Sequence, residues 1–509
     1  MADPLGSSCI LVYMHDLGPP AVRVPRPPAG RIDSAQPAAD SLWWLALVAA
    51  LFTGAQLAFV VPRLGLSWDE AVYISQVSSH APAAFFDPAR ARGIPLLVAP
   101  VALLTGSVLA LRVYLSIASG LGLFLALLAW RGLRPAWMLA LAAAVYGSLW
   151  VALYYGPQAM PDQWVAFAGL AAVGFFLRAV RAGTATPPRR WVTGLAACIA
   201  VAALVRPGDA VFLTAGLVVA TLTVRAWRKW QLLVAVVAGL AAGCADWIAE
   251  AYLRFGGPLA RLRAAGAEQG GFGLHLAFWD ELKAANGPTL CRPCTVGLRY
   301  PELSLWWLAL PVVAFLGVLA ARRAGRFSSS LLPALTGLCV AFQYLFLISY
   351  AAPRFLLPAY ALLAIPVADG LGWMLTSVRS DILPMTQVAV FLVLMAQILI
   401  QQVVLNHQVA EKAVFFGDYQ RIAADLRRLG IRPPCLIKGA QDIPIAFYAG
   451  CGSAAHVPRS LDGTERVAFL EYQHGRRPAY ARRWRRHRLP GVRTASLRFT
   501  AYLPPHQPR

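Results

Sequence analysis

The chain has 509 residues, a mean hydropathy of +0.57, 58% hydrophobic residues and only 14% charged ones. So many apolar residues at so low a charge density exclude a soluble globular protein and indicate a polytopic membrane protein. The net charge of +22 is uneven, with 18 Lys and Arg against 7 Asp and Glu from Asn406 onward. Of the 46 basic residues 42 are Arg, the bias of a GC-rich, bacterial genome.

Residues 1–40 are rich in Pro and Ala, lack an apolar period, and are expected to form a disordered cytoplasmic tail. Leu42–Val61 is too long for a signal-peptide core and no small-residue cleavage site follows, so it reads as a retained signal anchor. Counting it, about 11 stretches can cross ~30 Å of hydrocarbon as helices. They lie near 42–61, 112–130, 136–154, 163–180, 191–206, 209–224, 231–251, 303–320, 331–350, 355–376 and 384–405. The sequence Arg206-Pro207-Gly208-Asp209 breaks the region 191–224.

Short basic loops carry Arg131/Arg134, Arg178/Arg181/Arg189/Arg190, Arg225/Arg228/Lys229, Arg322/Arg323/Arg326 and Arg379. They share one side if residues 93–111 do not cross, and the positive-inside rule makes that side cytoplasmic. The expected class is therefore a polytopic α-helical membrane protein of about 11 transmembrane helices, multi-pass in a plasma membrane, with a cytoplasmic N-terminus. Its domains are the tail 1–40, a transmembrane body 41–405 with outer loops 62–111 and 252–302, and an extracytoplasmic α/β domain 406–509. That last domain mixes a helical pattern (FGDYQRIAADLRRLG) with strand-like runs (PCLIKG, IAFYAGC, VAFLEY). Its basic run RRPAYARRWRRHR suits membrane lipids or an anionic envelope polymer on an outer face, or is simply solvated; nucleic acid is not expected there.

Cys291 and Cys294 (CRPC) and Cys435 and Cys451 also fall outside, where disulfides form. Free thiols or a zinc half-site are the other readings of CRPC, although no second outer pair of ligands has suitable spacing. Cys198, Cys244 and Cys339 lie within apolar runs as packing residues.

The first outer loop opens LGLSWDEAVYI (Leu64–Ile74). Ser67 and Glu70 stand in the S-x-x-E relation of a capping box, which gives Glu70 a structural role. Asp69 points about 100° away on the same helix, as a catalytic carboxylate or as a first-turn acid favoured by the helix dipole. A second outer carboxylate, Asp162, lies in QAMPDQW. Arg112, Arg206 and Arg354 begin outer helix ends against the positive-inside bias. They read as snorkelling anchors or as a cluster gripping phosphate oxygens.

The Asp69-Glu70 pair in a long first loop, the later MPD turn, the Arg at the start of the second span and RFLLPAYALLAIPVADGL together resemble GT-C fold glycosyltransferases. The similarity covers roughly 42–405 and is nearest to family 39, which includes protein O-mannosyltransferases and lipid A aminoarabinose transferases. The resemblance implies an inverting transfer of a monosaccharide from a polyprenyl-phosphate donor to a protein, lipid or glycan hydroxyl. It maps the catalytic carboxylate onto Asp69 and the second acidic position onto Asp162. Glu70, Tyr73, Arg92, Arg112, Arg206 and Arg354 are the expected substrate-binding residues, with Trp68 beside them. One departure concerns the acceptor: where the family commonly carries His-Pro-Pro-Leu, this chain has RGIPLL, with Arg92 as the polar group. No cofactor is required by this scheme, although a divalent cation is compatible with scattered outer carboxylates. A transporter, a lipid-phosphate flippase and a non-catalytic GT-C scaffold are the rival readings.

Overall fold

The computed structural model describes residues 41–505 except 185, 272, 299, 377–381, 454–465, 473–476 and 493–498. The expected tail 1–40 and Arg379 lie outside the described residues.

The first half of the chain folds as α1 (Trp43–Phe59), α2 (Trp68–Ser75), α3 (Gly93–Ala102), α4 (Val108–Leu128), α5 (Ala136–Gly147), α6 (Trp150–Tyr155), α7 (Pro161–Arg181), α8 (Arg189–Val205), α9 (Pro207–Thr223) and α10 (Trp230–Arg254). Beyond it come α11 (Pro258–Glu268), α12 (Phe278–Ala284), α13 (Leu305–Arg323), α14 (Phe327–Phe346), α15 (Leu357–Thr376), α16 (Leu383–Arg428) and α17 (Asp442–Ala449). Proline at the first position starts α7, α9 and α11, where its missing N–H costs no helical bond. Gly132 and Gly325, at φ 82° and 67°, close two of the basic turns in a backbone region that side chains disfavour.

This is an integral membrane protein. Among the described residues, seven helices are long and apolar enough to cross a membrane: α4, α7, α10, α13, α14, α15 and α16. Every expected span coincides with a helical segment, but α1, α8 and α9 have only 17 residues each. The stretch 136–154 is broken at Ser148-Leu149 into α5 and α6. In the region 93–111, α3 has ten residues, about 15 Å or half a hydrocarbon core.

Helix α15 is the hub of the bundle. Residues Leu357 to Gly372 are all buried. A Cβ on Gly317 of α13 would sit 1.8 Å from the Pro366 carbonyl oxygen, so only glycine permits this approach.

Helix directions divide the bundle into two ends. Helices α7, α9 and α15 start where α8, α10 and α14 finish, and that end holds Asp162, Arg206 and Arg354. At the opposite end lie the α4–α5 turn, the end of α7 and the α13–α14 turn, with the basic clusters Arg131/Arg134, Arg178/Arg181 and Arg322/Arg323/Arg326.

Helix α16 runs 46 residues, about 69 Å, from the bundle into the C-terminal region. There β1 (Cys435–Gly439), β2 (Gly452–Ser453), β3 (Arg466–Tyr472), β4 (Arg485–Arg488) and β5 (Phe499–Leu503) form one sheet in the order β2-β1-β3-β5-β4. Strand β1 is parallel to β2 and β3, while β5 is antiparallel to β3 and β4. The expected strand IAFYAGC is instead most of α17. An acid and a proline in its first turn, Asp442 and Pro444, and Gly450 in the left-handed region after its end outweigh the β-branched and aromatic content. The structure joins Cys291 to Cys294 and Cys435 to Cys451 as disulfides. Helix α17 packs on α2, and the Leu66 N–H donates to the Tyr448 hydroxyl at 2.8 Å. The C-terminal region thus braces the helix that carries Asp69.

Candidate active site

The start of α2 is built on a buried ion pair. Glu70 Oε2 accepts from the Ser67 N–H and the Ser67 hydroxyl, both at 3.0 Å, and Oε1 accepts from the Ala159 N–H at 2.9 Å. Arg112 of α4 grips the same carboxylate through both Nη atoms. It also donates to the carbonyls of Pro157, Gly65 and Leu64 at 2.8, 2.6 and 3.4 Å. Both side chains are fully buried. All five guanidinium donors are committed to protein, so Arg112 has none left for a phosphate. Glu70 and Arg112, expected at the substrate, are engaged instead in joining α2, α4 and the turn before α7.

Asp69, one residue earlier, faces the other way. Its Oδ1 accepts from Arg90 Nη2 at 2.8 Å and its Oδ2 from Arg354 Nη2 at 3.1 Å. Arg90 also binds Asp87. Arg354 Nε lies 3.4 Å from Asp162 Oδ2, and Asp162 Oδ1 accepts from Arg206. Arg206 Nε is in turn 3.6 Å from Asp209, which Gln343 and Tyr344 hold by hydrogen bonds. Charges therefore alternate along Asp87–Arg90–Asp69–Arg354–Asp162–Arg206–Asp209. Asp69, Asp162 and Asp209 each occupy the first turn of a helix, where the dipole favours an acid. Phe355 lies under two of the guanidiniums, 4.9 Å from Arg206 and 5.2 Å from Arg354.

Two cavities meet at Asp69. One, of about 210 Å³, is lined by Arg90, Arg206, Arg292, Arg354, Tyr73 and Glu268 among others. The second, of about 220 Å³, is walled by Trp68, Tyr154, Tyr155, Phe415, Phe416 and Tyr419, with Lys412 at its side. Asp69, Met160, Leu290 and Arg354 belong to both. The Asp69 side chain keeps 31% exposure, whereas Asp162 keeps none. Asp162, expected to be catalytic, is closed off behind Arg206 and Arg354, with which it is paired, and lines neither cavity.

Burial of the Asp69 carboxyl acts to raise its pKa, but Arg90 and then Arg354 outweigh it and hold the group below the usual carboxylate range. Across the cavity, burial and the neighbouring Asp87 push the Glu268 carboxyl up. Burial also raises the Tyr73 phenol, whose ring carries the Arg90 guanidinium at 4.8 Å.

The structure thus gathers Asp69, Tyr73, Arg206 and Arg354 at one cavity and sets Arg92 aside. Arg92 donates to Gln76 and Glu250 at 2.9 and 2.5 Å and stacks on Phe86. Arg92, expected at the substrate, lines neither cavity. Arg90, Glu268, Arg292 and Lys412 are site residues that sequence reasoning missed. For Arg90 a signal existed: DPARARG places two arginines beside Asp87 at the entry to α3. Among the described residues, no three His, Cys, Asp or Glu side chains converge as metal ligands. The carboxylates of Asp69 and Asp162 face guanidiniums, a donor set that does not fit a divalent cation.

No family model and no curated protein sequence matches the chain. Solved structures do. ArnT from Cupriavidus metallidurans bound to undecaprenyl phosphate aligns with a TM-score of 0.62 at 14% identity, over 92% of this chain and 100% of that one. The fold is GT-C. Apo ArnT from the same organism gives a TM-score of 0.56 at 15% identity, over 90% and 97% of the two chains. An Archaeoglobus fulgidus oligosaccharyltransferase, crystallised with Zn and sulfate, gives 0.51 at 15% identity over 80% of this chain and 62% of that one. Within this GT-C frame, the two cavities open where α7, α9 and α15 begin.

Proposed function

We propose that this protein is an inverting membrane glycosyltransferase that moves a monosaccharide from a polyprenyl-phosphate donor to an acceptor hydroxyl on the extracytoplasmic face. The observation that carries the reading is the position of Asp69 at the junction of an arginine-lined cavity and an aromatic one. The donor phosphate enters among Arg90, Arg206 and Arg354, where bidentate contacts suit its oxygens. The aromatic cavity receives the acceptor, and Trp68 borders the reacting sugar. ArnT crystallised with undecaprenyl phosphate supports a lipid of this kind as donor.

In one displacement the acceptor oxygen bonds to the anomeric carbon as the bond from that carbon to the phosphate oxygen breaks. The proton passes to Asp69, and polyprenyl phosphate leaves with the bonding electrons without needing an acid. A carboxylate clamped by two guanidiniums is a weak base. Donor binding resolves this: phosphate oxygens take over Arg90 and Arg354, which frees Asp69 and raises its proton affinity where the acceptor arrives. The arginines then stabilise the charge developing on the leaving phosphate.

The test is turnover by purified, detergent-solubilised protein with a panel of polyprenyl-phosphate sugars and a cell-envelope extract as acceptor. Product from one donor, absent with Asp69→Asn, is the expected result. Binding of polyprenyl phosphate without turnover of any donor would instead make the protein a lipid carrier or scaffold.

A further inference from the structure

At the end of the bundle opposite Asp69, the α4–α5 turn, the end of α7, the turn before α10 and the α13–α14 turn enclose an open cavity of about 740 Å³. Four arginines line it: Arg131, Arg134, Arg181 and Arg326. Among the described residues the carboxylate facing them is Asp369 of α15. It takes Arg134 through both oxygens, at 2.8 and 2.7 Å, and lies 3.6 Å from Arg326. Among the described residues, one carboxylate thus faces four guanidinium charges. Arg326 Nε is buried and has no hydrogen-bond partner among the described residues. Among the described residues, Arg181 donates to a carbonyl, that of Gly132 at 2.8 Å.

The basic cavity runs directly into an apolar groove. Trp227 and Ser328 line both the cavity and a groove of about 600 Å³ between α9 and α14. Its walls include Val219, Leu331, Leu335, Leu338 and Phe342. Leu335, Leu338 and Phe342 are exposed, so the groove opens sideways toward lipid. Along α9 it extends from Phe212 to Thr223, a rise of about 16 Å. That is close to half of a ~30 Å hydrocarbon core, the depth of one leaflet. Trp227 is held at the seam by an edge-on contact with Phe176, ring centroids 5.8 Å apart. The adjoining Trp suits the headgroup level of a membrane.

We propose that this cavity and groove form a binding site for an anionic phospholipid of the leaflet on the basic face, its phosphate among Arg131, Arg181 and Arg326 and an acyl chain along α9 and α14. Charge complementarity selects the head and the one-leaflet length of the groove selects the tail; a basic pocket between membrane helices is a setting in which anionic headgroups bind. The site is separate from the Asp69 cavities and does not rest on the transfer reaction proposed above.

Native mass spectrometry of the full chain in detergent, offered equal amounts of phosphatidylglycerol and phosphatidylethanolamine with the same acyl chains, tests it. At least a tenfold preference for phosphatidylglycerol is expected. The exposed pair Arg131→Gln with Arg181→Gln should abolish the preference. Ala215→Trp, which fills the groove, should weaken the long-chain lipid about tenfold but leave its dihexanoyl analogue unaffected. Equal retention of the two lipids by the wild type, or a preference that survives the double substitution, overturns the proposal. So does stoichiometric displacement of the lipid by inorganic phosphate with no effect of Ala215→Trp, which would make this a free-phosphate site.

Discussion

Asp69 and Glu70 are adjacent acids on one short helix, and both are paired with arginine, yet their surroundings differ sharply. Glu70 and Arg112 are fully buried, and every donor of that guanidinium ends on a protein acceptor. Asp69 instead shares Arg90 and Arg354 with an open cavity. The difference is the roughly 100° between successive side chains of a helix: one faces the junction of α2, α4 and α7, the other the cleft.

The largest effect expected is at Asp69. Asp69→Asn should lower transfer about 10³-fold, within the range for loss of a general base, while the melting temperature stays near that of the wild type. Next is Glu70→Gln, which strands the buried Arg112 charge. It should cost about 3 kcal/mol or more of stability, read as a lowered melting temperature, with transfer per folded molecule retained. An intact melting temperature with lost transfer would reverse the roles of the two acids.

A comparable loss is expected from removing the brace behind α2. The Cys435–Cys451 disulfide closes a loop of sequence separation 16, for which chain entropy gives about 3 kcal/mol. Replacing both cysteines with serine should lower the melting temperature by that equivalent without changing the donor that is used.

The smallest effect sharpens the comparison most. In the proposed mechanism Asp69 works as the anion, and its pKa in the free protein is depressed. The acid limb of kcat/KM should therefore lie below the ordinary carboxylate range, with activity lost only as pH falls through the depressed value. Arg90→Gln removes the largest opposing charge and should move that limb to higher pH. The limb of kcat, which reports the donor-bound protein, should already lie higher in the wild type. An Arg90→Gln limb that stays in place would separate Asp69 from the rate.

Apolar runs and arginine loops made the helices legible in the sequence, because lipid demands long apolar segments and leaves few alternatives. The capping relation of Ser67 and Glu70 was equally readable. What could not be read was partnership across the fold. Arg112, Arg92 and Arg354 look alike in sequence, but only Arg354 is brought beside Asp69. The choice depends on which helix ends converge, not on local pattern. Arg90 sits in an irregular stretch with no period to place it. The strand-like composition of IAFYAGC yields to Asp442, Pro444 and Gly450, whose signals are helical.

The most direct test of the account is polyprenyl-phosphate binding and single-turnover transfer measured together on Asp69→Asn. In the account, this carboxylate competes with the donor phosphate for Arg90 and Arg354. The variant should therefore bind polyprenyl phosphate at least as tightly as the wild type and yet transfer no sugar. Weaker binding together with lost transfer would show Asp69 to be a scaffold for the arginines, and undiminished transfer would remove it from the chemistry altogether.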